Sequence, residues 1–253
     1  MKINTDINLK TVVHTVDLSG SSLNTPAIVA ATNAYTVLYK PSALHTVPLQ
    51  KASQKSLFDW CITQFPEVQS VRGKLPWEGG IVHRLDYHTK GLVLCARTQA
   101  AFDALWEQQD AGLFYKEYRA RSAHTPLKEL PPGFPEQPPV QKAPFDIHSA
   151  FRPFGIKRQA VRPVLSPSDR QYQTAVLDCF QQDEALVWTV GLYRGFRHQI
   201  RCHCAWLGYP LINDSLYGYE RTDNDTVDLC AYKLQFRDPE SAVEQTVVLR
   251  INF

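Results

Sequence analysis

Gly80-Ile-Val-His-Arg-Leu-Asp86-Tyr-His-Thr-Lys-Gly91-Leu-Val-Leu94 sets one carboxylate in a polar turn between two apolar segments. A rigid scaffold can present such a group to a cleft, because loops held at both ends carry much of protein chemistry. An Asp followed by Thr and Gly is also ordinary turn chemistry. The apolar run that leaves the turn, 92–96, reads as a strand, as do 35–39, 172–179, 186–190 and 246–252. Thr98 can cap a helix through about Gln109, with Phe102, Leu105 and Trp106 on one face and Gly112 as its stop. Residues 53–65 predict a second helix with Leu57, Trp60, Cys61 and Phe65 inward. A third runs from about Arg197 to Leu207, where Gly208 and Pro210 end it. Strands and helices mix without regular alternation, which predicts an α+β protein. The stretch from His124 to Pro144 holds seven prolines, at 126, 131, 132, 135, 138, 139 and 144, and must be a loop.

The 253 residues suffice for one large domain or two small ones, and 44% hydrophobic with 21% charged residues is ordinary for a soluble globular protein. A net charge of +2 neither demands nor excludes a polyanion, so its distribution matters more. Glu184 and Asp214 bracket an acid-free stretch with Arg194, Arg197, Arg201, His198 and His203. Asp146 and Asp169 bracket another, with Arg152, Lys157, Arg158 and Arg162. Such regional charge fits a polyanion along one face, or simply an uneven solvated surface. Six scattered cysteines suit reduced thiols rather than a disulfide framework. Residues 1–8 lack a signal pattern, and no apolar run nears the ~20 residues of a membrane span, so a cytoplasmic protein is expected.

A second polar signal is Tyr193-Arg-Gly-Phe-Arg-His-Gln-Ile-Arg201-Cys-His, followed by Asn213-Asp-Ser-Leu-Tyr-Gly218. On a helix Arg201 lies one turn from Arg197, which is also what a solvated basic face would show.

Taken together, the two segments resemble the RluA-type family of pseudouridine synthases. His83-Arg84-Leu85-Asp86 matches its HRLD motif, continued by Thr89, Gly91 and Leu92. His198-Gln-Ile-Arg201 with His203 matches the second signature, and Asp214, Leu216, Tyr217 and Gly218 match the element that follows. Lys40-Pro41, Lys116 with Tyr118, and the Leu-x-Phe-x-x-Pro at 234–239 extend the likeness over roughly 35–240, in order and at fitting spacing. The sequence departs from the family at Phe196-Arg197, where Arg-Thr is usual, at Asn213, where Gly is usual, and at Lys90, where Ser is usual. The loop 124–144 and residues 149–170 match poorly.

The resemblance implies a pseudouridine synthase fold: a mixed, largely antiparallel central sheet with flanking helices and a catalytic cleft. It implies a catalytic domain over 35–253 with a Pro-rich insertion near 124–144, and an N-terminal extension over 1–34 too short for a full accessory RNA-binding module. The implied reaction isomerises uridine in structured ribosomal or transfer RNA. The bond from uracil N1 to the ribose breaks, and the base rejoins through C5. The sugar develops oxocarbenium character, which a nearby ionised carboxylate stabilises. The family gives that part to the residue matching Asp86, with Arg201 keeping the carboxylate charged and Tyr118 stacking on the uracil. Arg84 matches the residue inserted where the base has flipped out. His83, Arg197, His198 and Ile200 complete the expected RNA contacts. Neither cofactor, metal nor obligatory protein partner is expected.

Three rival readings have some support in the sequence. Zinc is suggested by His198, Cys202, His203 and Cys204, but two cysteines two apart on a helix point about 200° apart and share a ligand set badly. A kinase loop would read His-Arg-Asp-Leu rather than His-Arg-Leu-Asp. A non-catalytic RNA-binding protein on the same scaffold needs positive charge but not the carboxylate of Asp86.

Overall fold

The computed structural model describes residues 2–8, 11–17, 24–49, 55–218 and 226–250. In chain order the elements are β1 (Lys2–Asn8), β2 (Thr11–Asp17), β3 (Ala27–Ala31), β4 (Tyr35–Lys40), α1 (Leu57–Gln64), β5 (Lys90–Ala96) and α2 (Gln99–Ala111). They continue as β6 (Tyr115–Ala123), β7 (Phe145–Phe154), β8 (Ala160–Val164), β9 (Tyr172–Gln182), β10 (Ala185–Leu192), α3 (Gln199–Trp206), β11 (Leu229–Arg237) and β12 (Glu244–Arg250). The chain divides into two compact units, one of residues 1–116 with 231–253, the other of 117–230. This is the α+β class expected: mixed strand pairing, mostly antiparallel, with three α-helices among the described residues. No helix of the described residues is long and apolar enough to cross a membrane.

In the first unit the strand order is β1-β2-β12-β11-β5-β4-β3. β2 and β12 are parallel, with Val13 opposite Thr246, while β4 and β5 are antiparallel, with Val37 opposite Leu94. β4 is buried along its whole length, as a strand covered on both faces should be. Its Val37 joins Leu92, Leu94, Phe102, Leu105, Phe114 and Phe236 in the core. Burying each such side chain contributes about 1.5–3 kcal/mol. Residues 2–8 and 11–17, within the stretch read as an extension, form a hairpin whose second strand pairs with β12.

Helix α2 starts and stops as its sequence predicts. Thr98 Oγ1 accepts from the Ala101 amide at 3.2 Å, and Gly112 ends the helix at φ 75°. α1 starts later than the expected 53, because Ser56 and Asp59 form a reciprocal capping box that fixes the first turn. Residues 53 and 54 lie outside the described residues. Leu57 and Cys61 face inward as expected, with Trp60 and Phe65 half-buried.

The second unit has the order β6-β10-β9-β7-β8. Its core groups Phe151, Ala160, Val161, Cys202, Ala205 and Tyr217. The proline-rich loop is tied to the end of α3. Trp206 Nε1 donates to the Glu136 carbonyl (2.9 Å), Gln137 Nε2 to that of Leu207 (2.7 Å), and the Leu127 amide to that of Gly208 (2.7 Å).

Candidate active site

Two glycines fix the ends of the Asp86 turn. At Gly80 a Cβ would lie 2.0 Å from the Ala96 carbonyl oxygen, and at Gly91 (φ 128°) it would lie 2.3 Å from that of Ala231. Both approaches are open only to glycine. Between them His83 is buried, and its Nε2 accepts from the Leu94 amide at 3.3 Å. Burial, helped by the nearby charge of Lys116, keeps this imidazole neutral, its pKa well below the ordinary value. Through its bond to the Leu94 amide His83, which the sequence places among the expected RNA contacts, braces β5. Arg84 is exposed and donates to the buried Glu78 at 2.9 Å.

The residues flanking Asp86 are held from both sides by the segment after β4. Thr46 Oγ1 accepts from the Leu85 amide (3.1 Å) and donates to its carbonyl (2.8 Å). Ser42 Oγ donates to the His88 carbonyl (2.7 Å). Lys40 Nζ donates to the carbonyls of Pro41 (2.9 Å), Leu44 (2.7 Å) and Tyr87 (3.2 Å). Asp86 itself stays half-buried, its carbonyl closing the turn to the Thr89 amide at 3.1 Å. The cradle grips main-chain atoms before and after Asp86, so the carboxylate is placed by a backbone that cannot shift freely.

Lys40 is fully buried. Burial pushes its pKa from 10.5 down to about 7, against the opposing pull of the Asp86 charge. Between those values the unfolded chain binds more protons than the folded one, so raising the pH favours folding. Wild type should therefore gain stability on a Lys40→Met variant from about pH 7 to 10.5. Denaturant midpoints of both proteins across that range check this; a constant gap would mean that Lys40 keeps its ordinary pKa.

In the second unit α3 carries the other signature. Arg201 grips Asp214 through two bonds, Nε to Oδ2 at 2.6 Å and Nη2 to Oδ1 at 2.7 Å, with both side chains buried. Its guanidinium carbon lies 5.4 Å from the Tyr217 ring centre. The Tyr217 hydroxyl accepts from the Val161 amide (3.0 Å) and meets His198 Nδ1 at 3.3 Å. The sequence marks Asp214 as a motif match and as the end of an acid-free stretch, and the fork makes it the residue that orients Arg201. Asn213 beside it takes φ 64°, a left-handed position that Asn tolerates better than other side-chain-bearing residues. That accounts for Asn where relatives usually have Gly.

Ile200 is buried, and Tyr118 lies on the inward face of β6, 8% exposed. Arg197 is exposed, and its Nη2 donates to the carbonyls of Arg158 (2.8 Å) and Ala160 (3.0 Å). The residues that prompted the zinc reading are engaged otherwise. His203 faces the hydroxyls of Ser149 (2.9 Å) and Thr174 (2.8 Å), and burial pushes its pKa down to about 3. Burial also raises the Cys202 and Cys204 thiols, which disfavours the thiolate a metal requires. Among the described residues no three His, Cys, Asp or Glu side chains group closely enough to hold a metal ion.

The model of the RNA pseudouridylate synthase family matches residues 34–206, a span that includes Asp86, Tyr118 and Arg201. The chain belongs to that family. Its similarity to named synthases D and A places it with the RluA-type members. It is 32% identical to an uncharacterized RNA pseudouridine synthase of Chloroflexus aurantiacus, over 72% of this chain and 52% of the relative. With ribosomal large subunit pseudouridine synthase D of Yersinia pestis it shares 29% identity, over 76% and 52%. With the dual-specificity RNA pseudouridine synthase RluA of Vibrio parahaemolyticus it shares 27%, over 85% and 78%. The chain thus spans about half the length of the first two relatives. Human RNA Pseudouridylate Synthase Domain Containing 1 has the same fold, with a TM-score of 0.61 at 19% identity, covering 89% of this chain and 84% of that one.

Proposed function

We propose that the chain is an RNA pseudouridine synthase in which Asp86 is the carboxylate that acts at the ribose. The observation that carries this reading is the cradle around Asp86. Hydrogen bonds from Lys40, Ser42 and Thr46 fix the main chain on both sides of one carboxylate. A surface that only binds RNA has no use for a carboxylate held in this way, since negative charge there opposes phosphate.

The reaction conserves composition. The N1–C1′ bond breaks, the base turns, C5 bonds to C1′, and C5 gives up a proton as N1 regains one. Asp86 must be ionised while positive charge develops on the sugar. Arg201, oriented by Asp214, supplies the cation of the reacting centre. Tyr118 stacks on the uracil, and Ile200 lines its apolar side. The target base must leave its stack, at a cost of a few kcal/mol, and Arg84 takes the vacated place. Arg197 and His198 contact the RNA around the target. The substrate class is structured ribosomal or transfer RNA, and the chemistry needs neither metal nor cofactor.

The test is direct. Unmodified ribosomal and transfer RNA is incubated with the purified protein in monovalent salt, and pseudouridine is mapped. New pseudouridine at discrete uridines is the expected result. Its absence from both RNA classes, in reaction and in a comparison of cells with and without the gene, overturns the reading.

A further inference from the structure

The β7–β8 hairpin ends in Gly155-Ile156-Lys157-Arg158, with Lys157 at φ 53° and Arg158 at φ 58°. Two consecutive long cationic residues therefore occupy left-handed backbone that Gly or Asn adopts at lower cost. Strain of this kind persists where the side chains have a use. Ile156 beside them is 78% exposed.

The tip is joined to a second feature. Arg197 Nη2 donates to the carbonyls of Arg158 and Ala160, and the Phe196 ring stacks on Phe151 of β7, centres 5.0 Å apart and 8° from parallel. These contacts pin the loop 193–198 to the hairpin. The loop brings Tyr193, 57% exposed, to the surface next to Arg194. Both segments come from the acid-free stretches of the sequence. Asp169, which ends one of them, is ion-paired to Arg152 at 2.8 Å.

We propose that the hairpin tip and the 193–197 loop form one docking surface for single-stranded RNA flanking the target uridine, an inference that rests on the activity proposed above. Lys157, Arg158 and Arg197 meet phosphates, while Tyr193 and Ile156 meet the faces of unpaired bases. Cations interleaved with exposed aromatic and aliphatic side chains suit a single strand, because a duplex hides its base faces. Phe196, standing where relatives usually have Arg, contributes no charge here. It fastens the loop, and the cations sit one residue on and on the hairpin instead.

The test uses the full chain and a labelled oligouridylate of about twelve nucleotides, within the site sizes of single-strand binders. Lys157→Asn with Arg158→Asn removes two cations and eases the backbone, so the thermal midpoint should hold or rise. Affinity for the strand should fall about fivefold or more, and the slope of log K against log salt should lessen by about 1.4, near 0.7 per lost phosphate contact. Tyr193→Ala should weaken binding about fivefold with the slope unchanged, since stacking releases no ions. Unaltered affinity in either variant, equal binding of the annealed duplex by wild type, or displacement by polyglutamate of matched charge as readily as by RNA would each overturn the proposal. If wild type makes pseudouridine while the variants bind normally, this inference alone fails. If wild type makes none while the variants lose binding, the activity fails and the surface stands as an RNA contact.

Discussion

An Asp86→Ala variant is expected to form no measurable pseudouridine, a loss of about 10⁴-fold or more, the order found when an essential catalytic group is removed. The cradle bonds from Thr46, Ser42 and Lys40 end on main-chain atoms of Leu85, Tyr87 and His88, so truncating the Asp86 side chain leaves them in place. RNA affinity should stay near wild type or rise slightly, because a negative charge is lost and no phosphate contact with it. Mass analysis of RNA after prolonged incubation measures the first effect, and titration with labelled RNA the second. Turnover by an uncontaminated variant would remove Asp86 from its role. Loss of binding along with activity would show that the variant had lost its fold.

Breaking the Arg201–Asp214 fork should cost about 3–5 kcal/mol of stability, because either truncation strands a buried charge. Both side chains are buried, at 4% and 0% exposure, and their two bonds are short and charge-assisted. At the size of this chain that is a fall in thermal midpoint of roughly 6–20 °C for Asp214→Ala. The double change Arg201→Met with Asp214→Leu removes both charges and should recover most of that loss, since an apolar pair of similar volume often replaces a buried ion pair without penalty. It should not recover pseudouridine formation, in which the Arg201 guanidinium is proposed to take part. The pair of measurements separates structure from chemistry. An Asp214→Ala protein that melts with wild type contradicts the buried pair, and a turning-over double variant removes Arg201 from the reaction.

The elements legible in the sequence are those whose signals are local. Thr98 and Gly112 bracket α2 because a cap hydroxyl and a left-handed glycine act within four residues. β4 and β5 are apolar runs and needed no partner to be read. β8 is different. Its Ala-Val-Arg-Pro-Val is short and contains proline, and such a strand belongs at a sheet edge, where β8 lies. β6 alternates charged and small or aromatic residues, with Lys116, Tyr118, Ala120 and Ser122 inward, so its buried face lacks the usual hydropathy.

The same distinction runs through the candidate site. Asp86 stood out because turn, glycines and flanking strand are contiguous. Lys40 did not, since a lysine reads as solvated, and one of the carbonyls that receive its ammonium, that of Tyr87, lies 47 residues on in the chain. His203 was read with neighbouring cysteines, whereas its partners Ser149 and Thr174 come from β7 and β9. The grip of Asp214 on Arg201, thirteen residues before it, is a contact that only the folded turn after α3 creates.

The ties between the proline-rich loop and α3 decide where this polypeptide tolerates a protease. Lys142 is exposed and lies beyond the last of these bonds. Trypsin can nick there and leave two pieces held by the β6–β10 pairing and by the contacts at Leu127, Gly133, Glu136 and Gln137. Excising 133–137 is another matter. It would strip Trp206 Nε1 and the Leu207 carbonyl of their partners at the end of the helix that carries Arg201. A segment that looks dispensable by its composition is in this protein a splint, and shortening it would be felt at the far end of α3 before it was felt at the surface.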